Sequence, residues 1–198
     1  MFVKDWKKEI FTIPNLLSLF RLVLIPVYMT IYLQAEETRD YITAGAILAG
    51  SCLTDMADGK IARKFNMITT LGKFLDPLAD KITQFTLILC LAIRHPVLWT
   101  VFILFVLKEL FQLVAGALTA HHGYILKGAL FSGKICTTIL FISLVTLVVF
   151  PTIPESTIRL IAMVDGIFLM IAFGDYLITY LGKKSRFQRL DDEPSASI

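Results

Sequence analysis

Six runs of mostly apolar residues, at 15–33, 41–62, 74–93, 96–119, 133–150 and 158–181, leave this chain few folds to choose from. Each is close to the roughly 18 to 20 residues that an α-helix needs to cross the hydrocarbon of a bilayer. Stretches such as "VLWTVFILFVL" and "TTILFISLVTLVVF" carry hardly a polar side chain, so they cannot form the exterior of a water-soluble domain. Of the 198 residues, 56% are hydrophobic and 18% charged, which is a membrane-protein composition with no segment left over for a separate soluble domain. A lone helix satisfies its own backbone in lipid, whereas an open strand does not. The expected fold is therefore all-α: a polytopic membrane bundle of six transmembrane helices.

The leader "MFVKDWKKEIF" is amphipathic and lacks the apolar core and small-residue cleavage site of a signal peptide, so it reads as an interfacial helix. The expected organisation is an interfacial segment at 1–14, a membrane domain at 15–182 and a cytoplasmic tail at 183–198. Short connections such as "QAEETRD", "RHP" and "PTIPEST" join the runs. One side of the membrane collects Lys4, Lys7, Lys8, Lys64, Lys73, Lys127, Lys134, Lys183, Lys184, Arg186 and Arg189; the other has Arg39, Arg94 and Arg159. By the excess of Lys and Arg in cytoplasmic loops, both termini and the connection between the second and third runs face the cytoplasm of a multi-pass cell-membrane protein. A net charge of +3 gives no reason to expect a nucleic-acid partner. Cys52, Cys90 and Cys136 each stand alone in an apolar run, as buried thiols do, and His95, His121 and His122 fall at helix ends, where interfacial placement explains them.

Against this background the stretch "TDMADGKIARKFNMITTLGKFLDPLAD", residues 54–80, is out of place. Asp55 and Asp58 are three apart, Asp76 and Asp80 four apart, so on helices each pair shares a face. A helical hairpin would turn the two pairs toward each other. Four carboxylates that close cannot all stay ionised without a cation among them. Oxygen-only ligands select a hard divalent ion such as Mg²⁺ or Mn²⁺, which commonly keeps positions for substrate phosphate. Gly59 and Ala62 leave room for a bulky group, and Arg63 adds a planar fork suited to phosphate. A hydroxyl acceptor also needs a base, for which a carboxylate serves. Salt bridging to Lys60, Arg63, Lys73 and Lys81 would explain one isolated acidic pair. It does not explain D-x2-D-G-x2-A-R-x8-G-x3-D-x3-D, whose eight fixed positions recur by accident on the order of once in ten billion start points.

That pattern resembles the signature of the CDP-alcohol phosphatidyltransferase family. "TIPNLLSLFRLVLIPVY" is similar to the family's first span and "SGKICT" to the start of its fifth, so the likeness covers nearly the whole chain. The resemblance implies six helices around a cytoplasm-facing cavity, two divalent ions, and an alcohol that displaces CMP from CDP-diacylglycerol. It implies that Asp55, Asp58 and Asp76 ligate metal, and that Asp80 is the general base and also touches the second ion. Asp58, Gly59, Ala62 and Arg63 would contact CDP, Gly72 would allow close helix approach, and the protein would be a homodimer. Size and first span are most like the branch that uses glycerol 3-phosphate and makes phosphatidylglycerophosphate. That branch carries an Arg-Glu pair in span four and a later Arg; here Lys108 and Glu109 replace the pair and the later Arg is missing. "KEL", "HHGY" and "SGK" also resemble the branch that makes cardiolipin from phosphatidylglycerol.

Lys134 and Lys127 are the cations expected to hold an acceptor phosphate, although anchoring at the cytoplasmic surface explains them as well. Arg21, Lys108, Glu109, Asp165 and Asp175 lie within apolar runs, where charges face a cavity or a partner. Asp165 and Asp175 are expected partners for Arg21 or Lys108. A contact between Lys108 and Glu109 is not expected, because adjacent helical residues point apart. An ion-coupled transporter would also place acids in a helical bundle, but it calls for inverted repeats and midplane sites, and the sequence has neither.

Overall fold

The computed structural model describes residues 12–64, 72–126, 128, 130–182 and 187–189. Through them run α1 (Ile13–Leu33), α2 (Thr38–Lys64), α3 (Gly72–Arg94), α4 (Trp99–His121), α5 (Phe131–Val149) and α6 (Glu155–Gly182), with a 3-10 turn at Pro96–Leu98. Each expected apolar run coincides with a helix, to within three residues at either end. Asn15–Leu33, Pro96–His121, Phe131–Val149 and Glu155–Gly182 are long and apolar enough to cross a membrane, so this is a multi-pass membrane protein. The other two long helices, α2 and α3, carry the acidic motif, and its charges dilute their apolar character. Residues 1–11 of the expected interfacial segment lie outside the described residues.

Local chemistry accounts for the helix ends. Thr12 is extended, with ψ 144°, and a proline in the first turn of α1 costs no helical hydrogen bond there. Pro26 interrupts α1 further along, and the Thr30 hydroxyl donates to its carbonyl at 2.8 Å. At the start of α2, Asp40 accepts from the backbone N–H groups of Glu36 and Glu37 at 3.1 Å each. Those two amides, Glu37 first, hold the Asp40 carboxyl below its ordinary range, and a negative charge there suits the positive end of the helix.

The chain divides into two compact units, Met1–Arg94 with Leu144–Thr152, and His95–Ser143 with Ile153–Ile198. In the first, α1 packs on both α2 and α3. Tyr28 of α1, Leu48 and Ser51 of α2, and Thr83 and Leu87 of α3 line a small cavity where the three meet. Gly45 of α2 brings its backbone near Val149; a Cβ there would lie 3.8 Å from the valine Cγ2.

Arg94, the last residue of α3, closes the far end of α1. Its Nη2 donates to the carbonyls of Tyr32 at 3.0 Å, Leu33 at 3.2 Å and Ala35 at 2.5 Å, while Nη1 donates to the Tyr41 hydroxyl. The guanidinium carbon also lies over the rings of Tyr32 and Tyr41, at 5.6 and 5.0 Å. One planar cation thus serves carbonyls at and just beyond the helix end, where the regular intrahelical donors run out. Arg94→Ala is expected to cost about 2 kcal/mol, because several part-buried acceptors lose a charged donor. Arg94→Lys recovers only part of it, since a single ammonium cannot span the same set. Thermal unfolding of the purified variants in detergent checks both; a melting temperature equal to the parent's for Arg94→Ala would show that this cap is dispensable.

In the second unit α4 packs along α6, with Phe111 edge-on to Phe173 and Tyr180 at 5.3 and 6.1 Å. A short antiparallel pair joins β1 (Tyr124–Leu126) to β2 (Phe187–Arg189), with Tyr124 opposite Arg189. The expected tail at 183–198 therefore contributes a strand. Where α5 begins, Gly133 is needed for close approach: a Cβ would fall 2.7 Å from the Tyr176 hydroxyl oxygen.

Candidate active site

Asp76 and Asp80 lie one turn apart on α3 and share a face. Both receive donors from α1. The Ser18 hydroxyl donates to Asp76 Oδ1 at 2.5 Å, and Arg21 Nη1 donates to Asp80 Oδ1 at 2.6 Å. Ser18 and Arg21 are buried, at 0% and 2% exposure, whereas Asp76 is half-buried and the Asp80 side chain is 52% exposed. The donors thus sit inside the unit and the acids at its open edge. Asn15, Ser18 and Arg21, three residues apart and all buried, make a polar stripe on a helix that is otherwise apolar. That stripe is the signal that sequence reasoning missed. Ser18 is not among the expected site residues, and the expected partner of Arg21 is Asp165 or Asp175. Arg21 forms an ion pair with Asp80, because α1 packs on α3 and carries the guanidinium there.

The remaining motif residues, Asp55, Asp58, Gly59, Ala62 and Arg63, lie on the last turns of α2 and are described by backbone alone. Helical register puts positions 55 and 58 four and seven residues beyond Ser51, on the stripe that lines the cavity. On α3, Asp80 and Asp76 precede the cavity residue Thr83 by three and seven, again one stripe. On α1, Arg21 and Ser18 precede Ile25, another lining residue, by four and seven. The three stripes that meet at the cavity therefore carry the motif positions on the same seam. Gly72 is the first residue of α3 and is buried. Among the described residues no group of three or more His, Cys, Asp or Glu is gathered, and the side chains of Asp55 and Asp58 are outside that set. Asp76 and Asp80 offer hard oxygen donors at an open edge, which fits Mg²⁺ or Mn²⁺. Lys134 is exposed in the first turn of α5, in the second unit, and Lys127 lies outside the described residues.

The charges buried in the second unit have local partners. Lys108 Nζ donates to Glu109 Oε1 at 2.6 Å, against the expectation from helical geometry. Lys108 is 3% exposed, and its ammonium lies 5.7 Å from the centre of the Tyr176 ring. A long, flexible lysine stem reaches round to the neighbouring carboxylate because burying the charge alone would cost far more. Asp165 accepts from the Ser143 hydroxyl at 2.9 Å, and Asp175 from the Ser132 hydroxyl at 2.6 Å, so both acids tie α6 to α5.

Comparison with known proteins extends the likeness beyond the motif. The model of the CDP-alcohol phosphatidyltransferase family matches residues 11–173. The chain belongs to the CDP-alcohol phosphatidyltransferase family. It is therefore a membrane transferase, the enzyme class rather than the transporter of the two that an acidic membrane bundle allows. A probable phosphatidylglycerophosphate synthase of Mycobacterium tuberculosis (strain CDC 1551 / Oshkosh) is 29% identical over 86% of this phosphatidyltransferase and 82% of its own length. A CDP-diacylglycerol--glycerol-3-phosphate 3-phosphatidyltransferase of Aquifex aeolicus is 27% identical over 84% and 94%. A CMP-forming cardiolipin synthase of Streptomyces coelicolor is 34% identical over 65% and 61%.

Proposed function

We propose that this phosphatidyltransferase moves the phosphatidyl group of CDP-diacylglycerol onto glycerol 3-phosphate, giving phosphatidylglycerophosphate and CMP in phospholipid biosynthesis. Coverage carries the choice of acceptor: the Mycobacterium and Aquifex relatives, named for that product or that acceptor, align over 86% and 84% of the chain, and the cardiolipin synthase over 65%. The acceptor hydroxyl attacks the phosphorus that bears the diacylglycerol. A new P–O bond forms, the P–O bond to CMP breaks, and the hydroxyl proton passes to Asp80, whose half-open side chain an acceptor can reach. Asp55, Asp58 and Asp76 would hold one divalent ion, and Asp80 would share in a second. When bound, Mg²⁺ or Mn²⁺ offsets the diphosphate charge and eases departure of CMP. Arg63 would add a fixed fork to a phosphate of CDP, beside Asp58 and the small residues Gly59 and Ala62, and Gly72 would let the helix ends approach. In this reading α2 and α3 also cross the membrane, making six spans, the Lys and Arg asymmetry turns both termini and the site to the cytoplasm, and the enzyme is a homodimer.

A specific observation favours a second acceptor. Lys108 stands where the phosphatidylglycerophosphate branch has Arg, and the Streptomyces cardiolipin synthase is 34% identical over its match. Purified protein given CDP-diacylglycerol with glycerol 3-phosphate or with phosphatidylglycerol, and the lipid product weighed by mass spectrometry, decides between them. Phosphatidylglycerophosphate is the expected product; cardiolipin alone would select phosphatidylglycerol. Lys134→Ala should raise the KM for glycerol 3-phosphate about tenfold, the loss of one hydrogen bond to a charged group, and leave that for CDP-diacylglycerol unchanged. Equal KM values in parent and variant would remove Lys134 from the acceptor site.

A further inference from the structure

We infer that α1 supplies the positioning residues of the acidic site: Ser18 sets the orientation of Asp76, and Arg21 sets that of Asp80. The inference rests on the metal and base roles proposed above for those two aspartates. Two contacts carry it, the Ser18 hydroxyl on Asp76 Oδ1 at 2.5 Å and Arg21 Nη1 on Asp80 Oδ1 at 2.6 Å. They run from one helix to the other and land on the two motif acids of α3. The burial is lopsided in the way a support requires. Ser18 and Arg21 are enclosed, while the carboxylates they hold face the open edge. Fixing one carboxylate oxygen from within sets where the other points, so a ligand meets acids already in place rather than two free rotors. Groups that orient metal ligands matter about ten- to a hundredfold in metal affinity or activity.

Arg21 suits this task better than Lys would. Its fork is planar and its charge permanent, and a fixed acceptor opposite it lowers the cost of burying it among apolar spans. A purely structural ion pair could have used any position along α1. This one falls on the acid proposed as the base.

The test measures Mn²⁺ binding to the full-length protein in detergent without substrate, by the electron paramagnetic resonance of unbound Mn²⁺. CMP release and thermal unfolding are followed on the same samples. Ser18→Ala should weaken Mn²⁺ about tenfold with a melting temperature close to the parent's, and Ser18→Thr, which restores a hydroxyl, should regain most of the affinity. Arg21→Lys retains a cation and so avoids leaving Asp80 without one. It should lower kcat at least about tenfold with the KM for CDP-diacylglycerol unchanged. Parental Mn²⁺ affinity in Ser18→Ala together with parental kcat in Arg21→Lys would overturn the inference and leave α1 a packing role only, whatever the melting temperatures do. A parent protein that binds no Mn²⁺ saturably would overturn the metal-site reading itself, and this inference with it.

Discussion

Asp80→Asn is expected to lower CMP release by about a hundred- to ten-thousandfold, the range that a positioned general base contributes, while the protein stays folded. The substitution keeps the shape of the side chain. Its amide carbonyl can still accept from Arg21 Nη1, which donates to Asp80 Oδ1 at 2.6 Å, so the buried guanidinium keeps an acceptor. What disappears is the capacity to take the acceptor's proton, and nothing else in the motif replaces it cheaply. Asp55→Asn and Asp58→Asn should behave differently, raising the Mn²⁺ concentration needed for half-maximal rate as well as slowing turnover. Rates of CMP release across a Mn²⁺ series, with melting temperature as the check on folding, separate the two kinds of loss. Turnover of Asp80→Asn within about tenfold of the parent would take that residue out of the proton-transfer step.

Excess chelator should abolish CMP release, and Mg²⁺ or Mn²⁺ added back should restore it. The physical reason lies in the charges. Asp76 and Asp80 share a face of α3, and positions 55 and 58 lie on the stripe of α2 that meets the same cavity. Arg21 offsets the charge of Asp80, and gathering four carboxylates at one site calls for further positive charge before a diphosphate can approach. Divalent ions held by these aspartates would supply that neutralising charge. A second readout does not depend on catalysis: Mn²⁺ at about a hundred times its dissociation constant should stabilise the fold by about 2.7 kcal/mol, seen as a rise in melting temperature that chelator reverses. Undiminished CMP release in excess chelator would end the metal reading of the aspartates.

Periodicity and spacing carried a large part of this protein. Six apolar runs located six helices to within three residues, because backbone hydrogen bonding in lipid leaves a run of that length little else to do. The eight-position motif pointed to the family, and the family model matches residues 11–173. Partner choice was beyond that reach. Arg21 meets Asp80, 59 residues away, and Arg94 meets Tyr32 and the carbonyls around it, because α1 packs against α3, and no local pattern in either helix specifies that neighbour. Lys108 turned to Glu109, since the cost of an isolated buried charge outweighs the direction in which adjacent side chains leave a helix. The buried stripe of Asn15, Ser18 and Arg21 was present in the sequence as polar residues three apart. Only the tertiary structure could assign it, because a polar group inside a membrane helix acquires its meaning from the side chain that packing brings opposite it.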